Sequence, residues 1–207
     1  MNIEAYYEQQ GSGSPIVFIH GSYATTSTWQ RMVDTLSSKH HCISIKLSGH
    51  CDTPDPDDFT SPSIDTELDL LEQIVSELTD QPIQLVGHSF GGVIALAQAL
   101  KGNLKLSQAS LFEPVAEWLL RKVHDEAMCM KVQQFLDRYR HGALVNSPYA
   151  CGQVIDFWGG HGSFDSLPGF IKDSMEPLVA NNIRHWDLCA AIESELIDLQ
   201  QCTVPCD

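Results

Sequence analysis

The sequence is poor in basic residues and has no long apolar run. Its 207 residues include 12 Lys and Arg against 27 Asp and Glu, which gives a formal net charge of −15. This balance disfavours a broad basic surface that would bind DNA, RNA or anionic lipid. No stretch approaches the ~18 apolar residues that suggest a membrane span, and the N-terminal residues lack the basic and apolar regions of a signal peptide. We therefore expect a cytoplasmic protein that binds neither nucleic acid nor membrane.

Cysteine and histidine form no recognisable metal or disulfide pattern. The seven cysteines are odd in number and scattered along the chain, which argues against a disulfide framework. His40, His41 and His50 lie near Cys42 and Cys51, but their spacing matches no usual zinc site. The sequence predicts no metal and no cofactor.

Strand and helix patterns alternate through the first half of the chain. Predicted strands cover residues 3–9, 16–19, 42–45, 83–86 and 104–112, and predicted helices cover 28–38, 62–78 and 93–100. Ser61 is a predicted N-cap, with Pro62 at the first helical position. Strands separated by helices of this length are typical of βαβ units, so we expect an α/β fold with a doubly wound, mostly parallel sheet.

The pattern changes after Glu113. Residues 115–140 and 170–199 are predicted to be helical, with a glycine-rich turn region at 156–169 between them. No strand is evident for about 90 residues. The sequence therefore predicts a core at 1–114, a helical cap inserted at 115–200, and a short return to the core at 201–207.

A serine stands between glycines where an apolar strand pattern meets a helical one. The segment Gly87-His88-Ser89-Phe90-Gly91 follows "IQLV" and leads into "GGVIALAQAL". A nucleophile on a sharp strand-to-helix turn needs small neighbours two residues to either side, because larger side chains would clash. The following helix directs its positive N-terminal end at the site. The motif predicts that Ser89 is a nucleophile, and a purely structural turn is the alternative.

Together with His20-Gly21, this motif resembles the α/β-hydrolase fold family. "IVFIHGSYATTSTW" is similar to the exit of the family's third strand, "LSGHCDTP" to the loop after its fourth, and "LFEPV" to the exit of its sixth. The later half resembles cap-bearing members among serine esterases, haloperoxidase-like proteins and iminopeptidases. The chain departs from the pattern at Lys46, where Asp is common, and at Cys51, where Gly is common.

The resemblance implies a role for each residue of the site. It implies Ser89 as the nucleophile, the backbone N–H groups of Ser22 and Phe90 as the oxyanion hole, and His20 and Gly21 as supports of the oxyanion loop. Members that cleave halides or epoxides carry an aspartate at this elbow. The resemblance therefore favours an ester, thioester, amide or activated carbon–carbon bond as the bond that is cleaved. The implied reaction is hydrolysis of a small ester, thioester or amide through an acyl-enzyme, with a small-molecule acyl substrate as the partner.

The general base is missing from the implied site. The family places its acid after a seventh strand and its histidine after an eighth. Val204-Pro205-Cys206 is similar to the start of the seventh strand, and Asp207 falls too early to be the usual acid. We therefore interpret the chain as C-terminally truncated by about 60 residues, with impaired activity.

Internal residues offer weaker substitutes for the missing groups. Glu113 follows a strand at a position that some members use for the acid, although it also reads as an ordinary strand-end residue. His88 is expected to pack beneath the turn. His161 is either a replacement base or a surface residue. The remaining histidines of the later half, His124, His141 and His185, are expected to be solvated or simple cap residues.

Three other expectations concern surfaces. The acid-rich "CDTPDPDDF" reads as a solvated loop. The aromatic residues of the cap either line an apolar acyl pocket or form the core of the cap: Trp118, Phe157, Trp158 and Phe164. An open sheet edge favours self-association.

A non-catalytic α/β-hydrolase-like binding or interaction protein is the alternative function. A third possibility is that another chain supplies the histidine.

Overall fold

A five-stranded sheet forms the centre of the protein. The computed structural model describes residues 2–101 and 103–206, so Asp207 lies outside the described residues. The strands are β1 (Tyr7–Gln10), β2 (Ser14–Ile19), β3 (His40–Ile45), β4 (Ile83–His88) and β5 (Leu106–Phe112). Their order is β1-β3-β2-β4-β5, with β1 antiparallel to β3 and all other pairs parallel. The expected mostly parallel sheet is confirmed.

Helices cover both faces of this sheet. The α-helices are α1 (Gln30–Leu36), α2 (Ile64–Leu78), α3 (Phe90–Lys101), α4 (Trp118–Lys122), α5 (Glu126–Leu144), α6 (Gly152–Gly159), α7 (Gly169–Met175), α8 (Val179–Ala190) and α9 (Leu196–Gln201). Short 3-10 turns cover Ile3–Tyr6, Thr26–Trp29 and Glu176–Leu178. None of the described helices has both the length and the apolar character needed to cross a bilayer.

The side chains of β2 alternate between two hydrophobic clusters. Val17 and Ile19 pack with buried residues of α2 and α3 on one face, whereas Ile16 and Phe18 pack with Trp29 and the α1 side on the other. Successive side chains of a strand point to opposite faces, so a continuous apolar run is what a doubly covered strand requires.

Several element boundaries differ from the sequence expectation. Residues 3–6 of the first predicted strand form a 3-10 turn, so β1 begins only at Tyr7. Helix α2 begins after Ser63 rather than Ser61, and the Ser63 hydroxyl accepts a hydrogen bond from the N–H of Asp65 at 3.2 Å. The Asp58 carboxylate accepts from the N–H of Ser63 at 2.8 Å, which keeps the preceding residues in the loop. The predicted turn region from residue 156 onward is helical at its start, because α6 continues to Gly159.

Residues 115–200 contain only helices and connections. One part of this helical segment has its own core, formed by residues of α5, α6 and α8 and of the connection between α5 and α6: Val132, Phe135, Leu136, Tyr139, Ala150, Val154 and Trp186. Another part joins the core of the sheet, since Trp118, Leu188 and Ile192 belong to the cluster around α2 and α3. The helical segment is thus firmly packed onto the α/β layers.

A buried ionic cluster fastens α8 to α2. Arg184 is almost fully buried and donates to Glu67 and to Asp58, both at 2.7 Å. Burial raises the pKa of Glu67, against the opposing effect of the guanidinium. Burial also acts to raise the pKa of Asp58, but hydrogen bonds from Ser63, Arg184 and Thr66 outweigh it and lower that pKa. The acid-rich loop is therefore not simply solvated, because Asp58 anchors the helical segment.

The final described residues return to the sheet beside β5. The N–H of Ala109 donates to the carbonyl of Pro205 at 2.8 Å, and Ala109 forms a parallel bridge with Cys206. This placement agrees with the interpretation of residues 204–206 as the beginning of a strand parallel to β5.

Candidate active site

Ser89 occupies a tight turn between β4 and α3. Its φ of +55° lies in the left-handed region, which non-glycine residues rarely adopt. The N–H of Ser89 donates to the carbonyl of Phe112 at 2.9 Å, and its carbonyl accepts from the N–H of Val93 at 3.1 Å. The backbone therefore holds the serine between the end of the sheet and the first turn of α3.

The flanking glycines are required by close backbone packing. A Cβ on Gly87 would lie 2.2 Å from the carbonyl oxygen of Gly91, and a Cβ on Gly91 would lie 2.4 Å from that of Ile19. Both contacts are well below van der Waals distance. The small neighbours predicted from the motif thus have a direct steric cause.

The loop after β2 lies against this turn and contributes a free amide. A Cβ on Gly21 would lie 3.2 Å from the Cβ of Ser89. Within residues 2–101 and 103–206, neither the N–H of Ser22 nor that of Phe90 donates to a protein acceptor. Because Phe90 begins α3, its N–H also belongs to the positive end of that helix.

His20 bridges the loop to the following strand. Its Nδ1 donates to the carbonyl of Gly21 at 2.8 Å, and its Nε2 accepts from the N–H of Leu47 at 3.4 Å. Burial lowers the pKa of His20 to about 4, so the imidazole is neutral at pH 7. The contacts are those expected of a residue that supports the loop.

From the sequence, His88 is expected to pack beneath the turn, but the structure places it elsewhere. Its side chain is 38% exposed, and its Nε2 lies 3.9 Å from the Glu113 carboxylate. The Nδ1 atom would lie 3.1 Å from a Cβ on Gly21. His88 therefore lies beside the loop after β2 at the cavity wall, where it faces Glu113.

Glu113 is at the rim of the same cavity and largely in water. Its side chain is 91% exposed, and its φ of +49° marks a sharp turn at the end of β5. The structure brings Glu113, His88 and Ser89 to one cavity. His161 lies elsewhere, in a separate surface cleft near α5 and α6.

A cavity of about 600 Å³ opens above Ser89. One part of its wall is polar and contains Ser22, Ser89, Asn182 and His185. The cavity also has apolar lining residues, which come from the helical segment: Val115, Val154, Ile155, Trp158 and Trp186. Of the four aromatic residues considered from the sequence, Trp158 lines the cavity, whereas Trp118, Phe157 and Phe164 pack in hydrophobic clusters.

His185 is the main site residue that the sequence analysis missed. It was expected to be solvated or a simple cap residue, but it is 2% exposed and lines the cavity. Its Nδ1 lies 2.6 Å from the Ser22 hydroxyl, and its ring stacks on Phe90 with centroids 3.7 Å apart. Burial, together with the nearby His50, Arg184 and His20, lowers its pKa well below the usual value. The i and i+3 spacing places Asn182 and His185 on one helix face, but nothing in the local sequence indicates that this face meets Ser22.

The two departures from the family pattern lie near the loop after β3. Lys46 pairs with Glu8 at 3.1 Å on the antiparallel edge of the sheet. Cys51 has a φ of +52°, a conformation that glycine adopts without strain. The chain therefore keeps the tight turn at Cys51 although it lacks the glycine.

Comparison with known proteins identifies the family. Residues 16–200 match the Alpha/beta hydrolase family, and the chain belongs to it. The protein is 31% identical over 97 residues to (E)-2-((N-methylformamido)methylene)succinate hydrolase of Acinetobacter baylyi. The aligned region covers 45% of this chain and 35% of that protein. It is also 30% identical over 108 residues to pimeloyl-[acyl-carrier protein] methyl ester esterase of Aliivibrio salmonicida. That aligned region covers 52% of this chain and 39% of the esterase.

Solved structures share the fold. MenH from S. aureus aligns with a TM-score of 0.70 at 20% identity, over 97% of this chain and 77% of that one. A probable hydrolytic enzyme from Pseudomonas aeruginosa aligns with a TM-score of 0.68 at 17% identity, over 97% of this chain and 66% of that one. The matched regions span only about two fifths or less of the two curated relatives described above.

Proposed function

We propose that this protein belongs to the serine hydrolases of its family and that Ser89 is the nucleophile for acyl transfer from a small ester, thioester or amide to water. The observation that carries the proposal is the placement of Ser89 in a strained turn at the head of α3, beside two unpaired amides. Backbone donors aimed at a developing oxyanion each lower the barrier by about 3 kcal/mol in comparable sites. The N–H groups of Ser22 and Phe90 are the donors in this proposal.

Two of the relatives support hydrolysis as the proposed reaction. One is named as a hydrolase and another as a methyl ester esterase. A serine at the elbow is the residue type that forms an acyl-enzyme.

The cavity favours a substrate with an apolar acyl group. Val154, Ile155 and Trp158 of the helical segment line the same cavity as Ser89. We propose that the helical segment, residues 115–200, is the cap of this enzyme and that its apolar wall receives the acyl chain while the carbonyl lies at Ser89.

The described residues do not supply a base in contact with the nucleophile. No histidine of residues 2–101 and 103–206 is hydrogen-bonded to the Ser89 hydroxyl. Glu113 remains a proposed acid, since it faces His88 at the cavity rim. We therefore expect slow ester turnover by the 207-residue chain, because an oxyanion hole and binding alone leave about 10³–10⁴-fold catalysis over water.

Covalent labelling tests the nucleophile independently of fast turnover. The protein would be incubated for hours with an alkyl fluorophosphonate, digested, and analysed by mass spectrometry. We expect slow labelling confined to Ser89, its loss in Ser89→Ala, and its retention in the matched control Ser166→Ala, whose serine is exposed on the helical segment. Labelling spread over exposed serines at similar rates would refute the proposal. Ligand binding in the cavity without a Ser89 adduct would favour the non-catalytic binding protein instead.

A further inference from the structure

Ser22 is held by side chains from two distant parts of the chain. Its hydroxyl lies 2.6 Å from Nδ1 of His185 and accepts from the amide of Asn182 at 2.8 Å. Its carbonyl accepts from Nε2 of His50 at 2.6 Å. All four residues are buried. Two of the three partners come from α8, so the helical segment reaches down to the oxyanion loop.

The same helix also contacts the second proposed oxyanion residue. The His185 ring lies parallel to Phe90, with an interplanar angle of 9°. The His50 ring is also parallel to the His185 ring, with their centroids 5.4 Å apart. One histidine of α8 therefore touches both residues whose amides are proposed to bind the oxyanion.

Local hydrogen bonds hold one end of the peptide that carries the Ser22 N–H, because the carbonyl of Gly21 accepts from Nδ1 of His20 at 2.8 Å and from the N–H of Ala24 at 3.1 Å. The hydrogen bonds of the Ser22 hydroxyl act at the other end of this peptide. The Ser22 hydroxyl is buried, so it is stabilised only where its hydrogen bonds are made. Burial keeps His185 neutral, and a neutral imidazole shares a hydrogen bond with the hydroxyl whichever ring nitrogen carries the proton.

We propose that Asn182 and His185 are positioning residues which, by holding the Ser22 hydroxyl, direct the backbone N–H of Ser22 towards Ser89. The oxyanion site is then complete only while α8 is docked on the α/β core. This inference rests on the proposed function of Ser89. It makes the helical segment part of the catalytic geometry as well as a wall of the cavity.

Variants at residue 185 separate this role from a role in packing. His185→Leu keeps bulk and removes both ring nitrogens. His185→Asn places an amide near the position of Nδ1, so it retains a bond to Ser22, whereas His185→Gln places its amide near Nε2. Backbone ¹⁵N relaxation would report the order parameters of Ser22 and Tyr23.

We expect these order parameters to be about 0.85 in the wild type and in His185→Asn. They should fall below about 0.6 in His185→Leu, His185→Gln and Ser22→Ala. The amide of Ile43 in β3, which is buried in the core, should be rigid in every variant. A rigid Ser22 in His185→Leu and Ser22→Ala would overturn the inference.

The rate of Ser89 labelling by the fluorophosphonate gives a second readout. It should fall at least tenfold in His185→Leu and Ser22→Ala and recover in His185→Asn. An unchanged rate in His185→Leu would overturn the inference and leave the proposed function standing. Loss of labelling in both the Leu and Asn variants, with a rigid loop, would overturn it in favour of His185 as a base. If the wild type is never labelled at Ser89, the proposed function fails, while the relaxation data still decide whether α8 holds Ser22.

Discussion

A single added methyl group at residue 91 would collide with the backbone of β2. Gly91→Ala places a Cβ 2.4 Å from the carbonyl of Ile19, although alanine is better than glycine in a helix by about 1 kcal/mol. Because backbone atoms cannot move aside cheaply, the clash should dominate and lower the free energy of unfolding by about 2–4 kcal/mol in urea denaturation.

Gly169→Ala is the matched control for this substitution. A Cβ at Gly169 meets nothing within 4 Å, and the residue begins a helix. Its unfolding free energy should stay within about 0.5 kcal/mol of the wild type. Similar urea midpoints for the two alanine variants would contradict the steric account of the elbow.

Buried neutral histidines should make the protein sensitive to mild acid. Burial lowers the pKa of His20 to about 4 and that of His185 well below its usual value. Between pH 6.5 and about 4 the unfolded chain binds protons at these rings and the native state does not, so stability falls as the pH falls. His20 alone should account for about 3 kcal/mol over that range.

Urea unfolding measured at pH 7.5, 6 and 5 checks this dependence. His20→Gln should flatten the slope by up to one proton, about 1.4 kcal/mol per pH unit. His124→Asn removes an exposed histidine and should leave the slope unchanged. A stability that is constant from pH 7.5 to 5 would contradict the assignment of His20 as neutral.

Residues of the site differ in how far the sequence could predict them. The placement of Ser89 in the turn and the need for Gly87 and Gly91 followed from a five-residue motif, because the constraint is local. His185 lies 163 residues from Ser22 in the chain. No local pattern marks such a contact, so only the packing of α8 on the core identifies it.

At the scale of elements, the attachment of α8 to α2 depends on one buried arginine. Arg184 joins it to Glu67 of α2 and to Asp58. Arg184→Leu would leave the Glu67 carboxylate buried without its partner, so the free energy of unfolding should fall by about 3–5 kcal/mol. Urea denaturation measures this loss.

Arg31→Leu provides the control for the loss of an arginine. This residue is exposed on α1, and its replacement should change stability by less than about 0.5 kcal/mol. The double variant Arg184→Leu with Glu67→Leu should lose less than the sum of its two single variants, since it removes the buried Glu67 charge together with its partner. A loss below 1 kcal/mol in Arg184→Leu would contradict the proposed anchor.

Most element types were predictable, but the 3-10 turn at Ile3–Tyr6 and some boundaries were not. The apolar run of β2 and the helical spacing of α2 follow from periodicities of two and 3.6 residues. The start of α2 depends on Asp58, which binds the N–H of Ser63 from outside the helix. The acid-rich loop looked solvated in sequence because its ionic partner, Arg184, lies in a helix more than 100 residues away.

At the scale of the whole molecule, β1 and β5 are the two edge strands of the described sheet. On the outer side of β5, Ala109 pairs with Pro205 and Cys206. Unpaired strand edges favour pairing with another chain, so we expect the 207-residue chain to self-associate. Sedimentation velocity at increasing concentration should show a rising mean mass, and a single monomeric species throughout would contradict the expectation.

The crystal structure of the phosphonate adduct tests the central claim most directly. The account predicts a covalent bond from phosphorus to Oγ of Ser89, with the phosphoryl oxygen within hydrogen-bond distance of the amides of both Ser22 and Phe90. An adduct on a different residue, or an oxygen that points away from both amides, would contradict it.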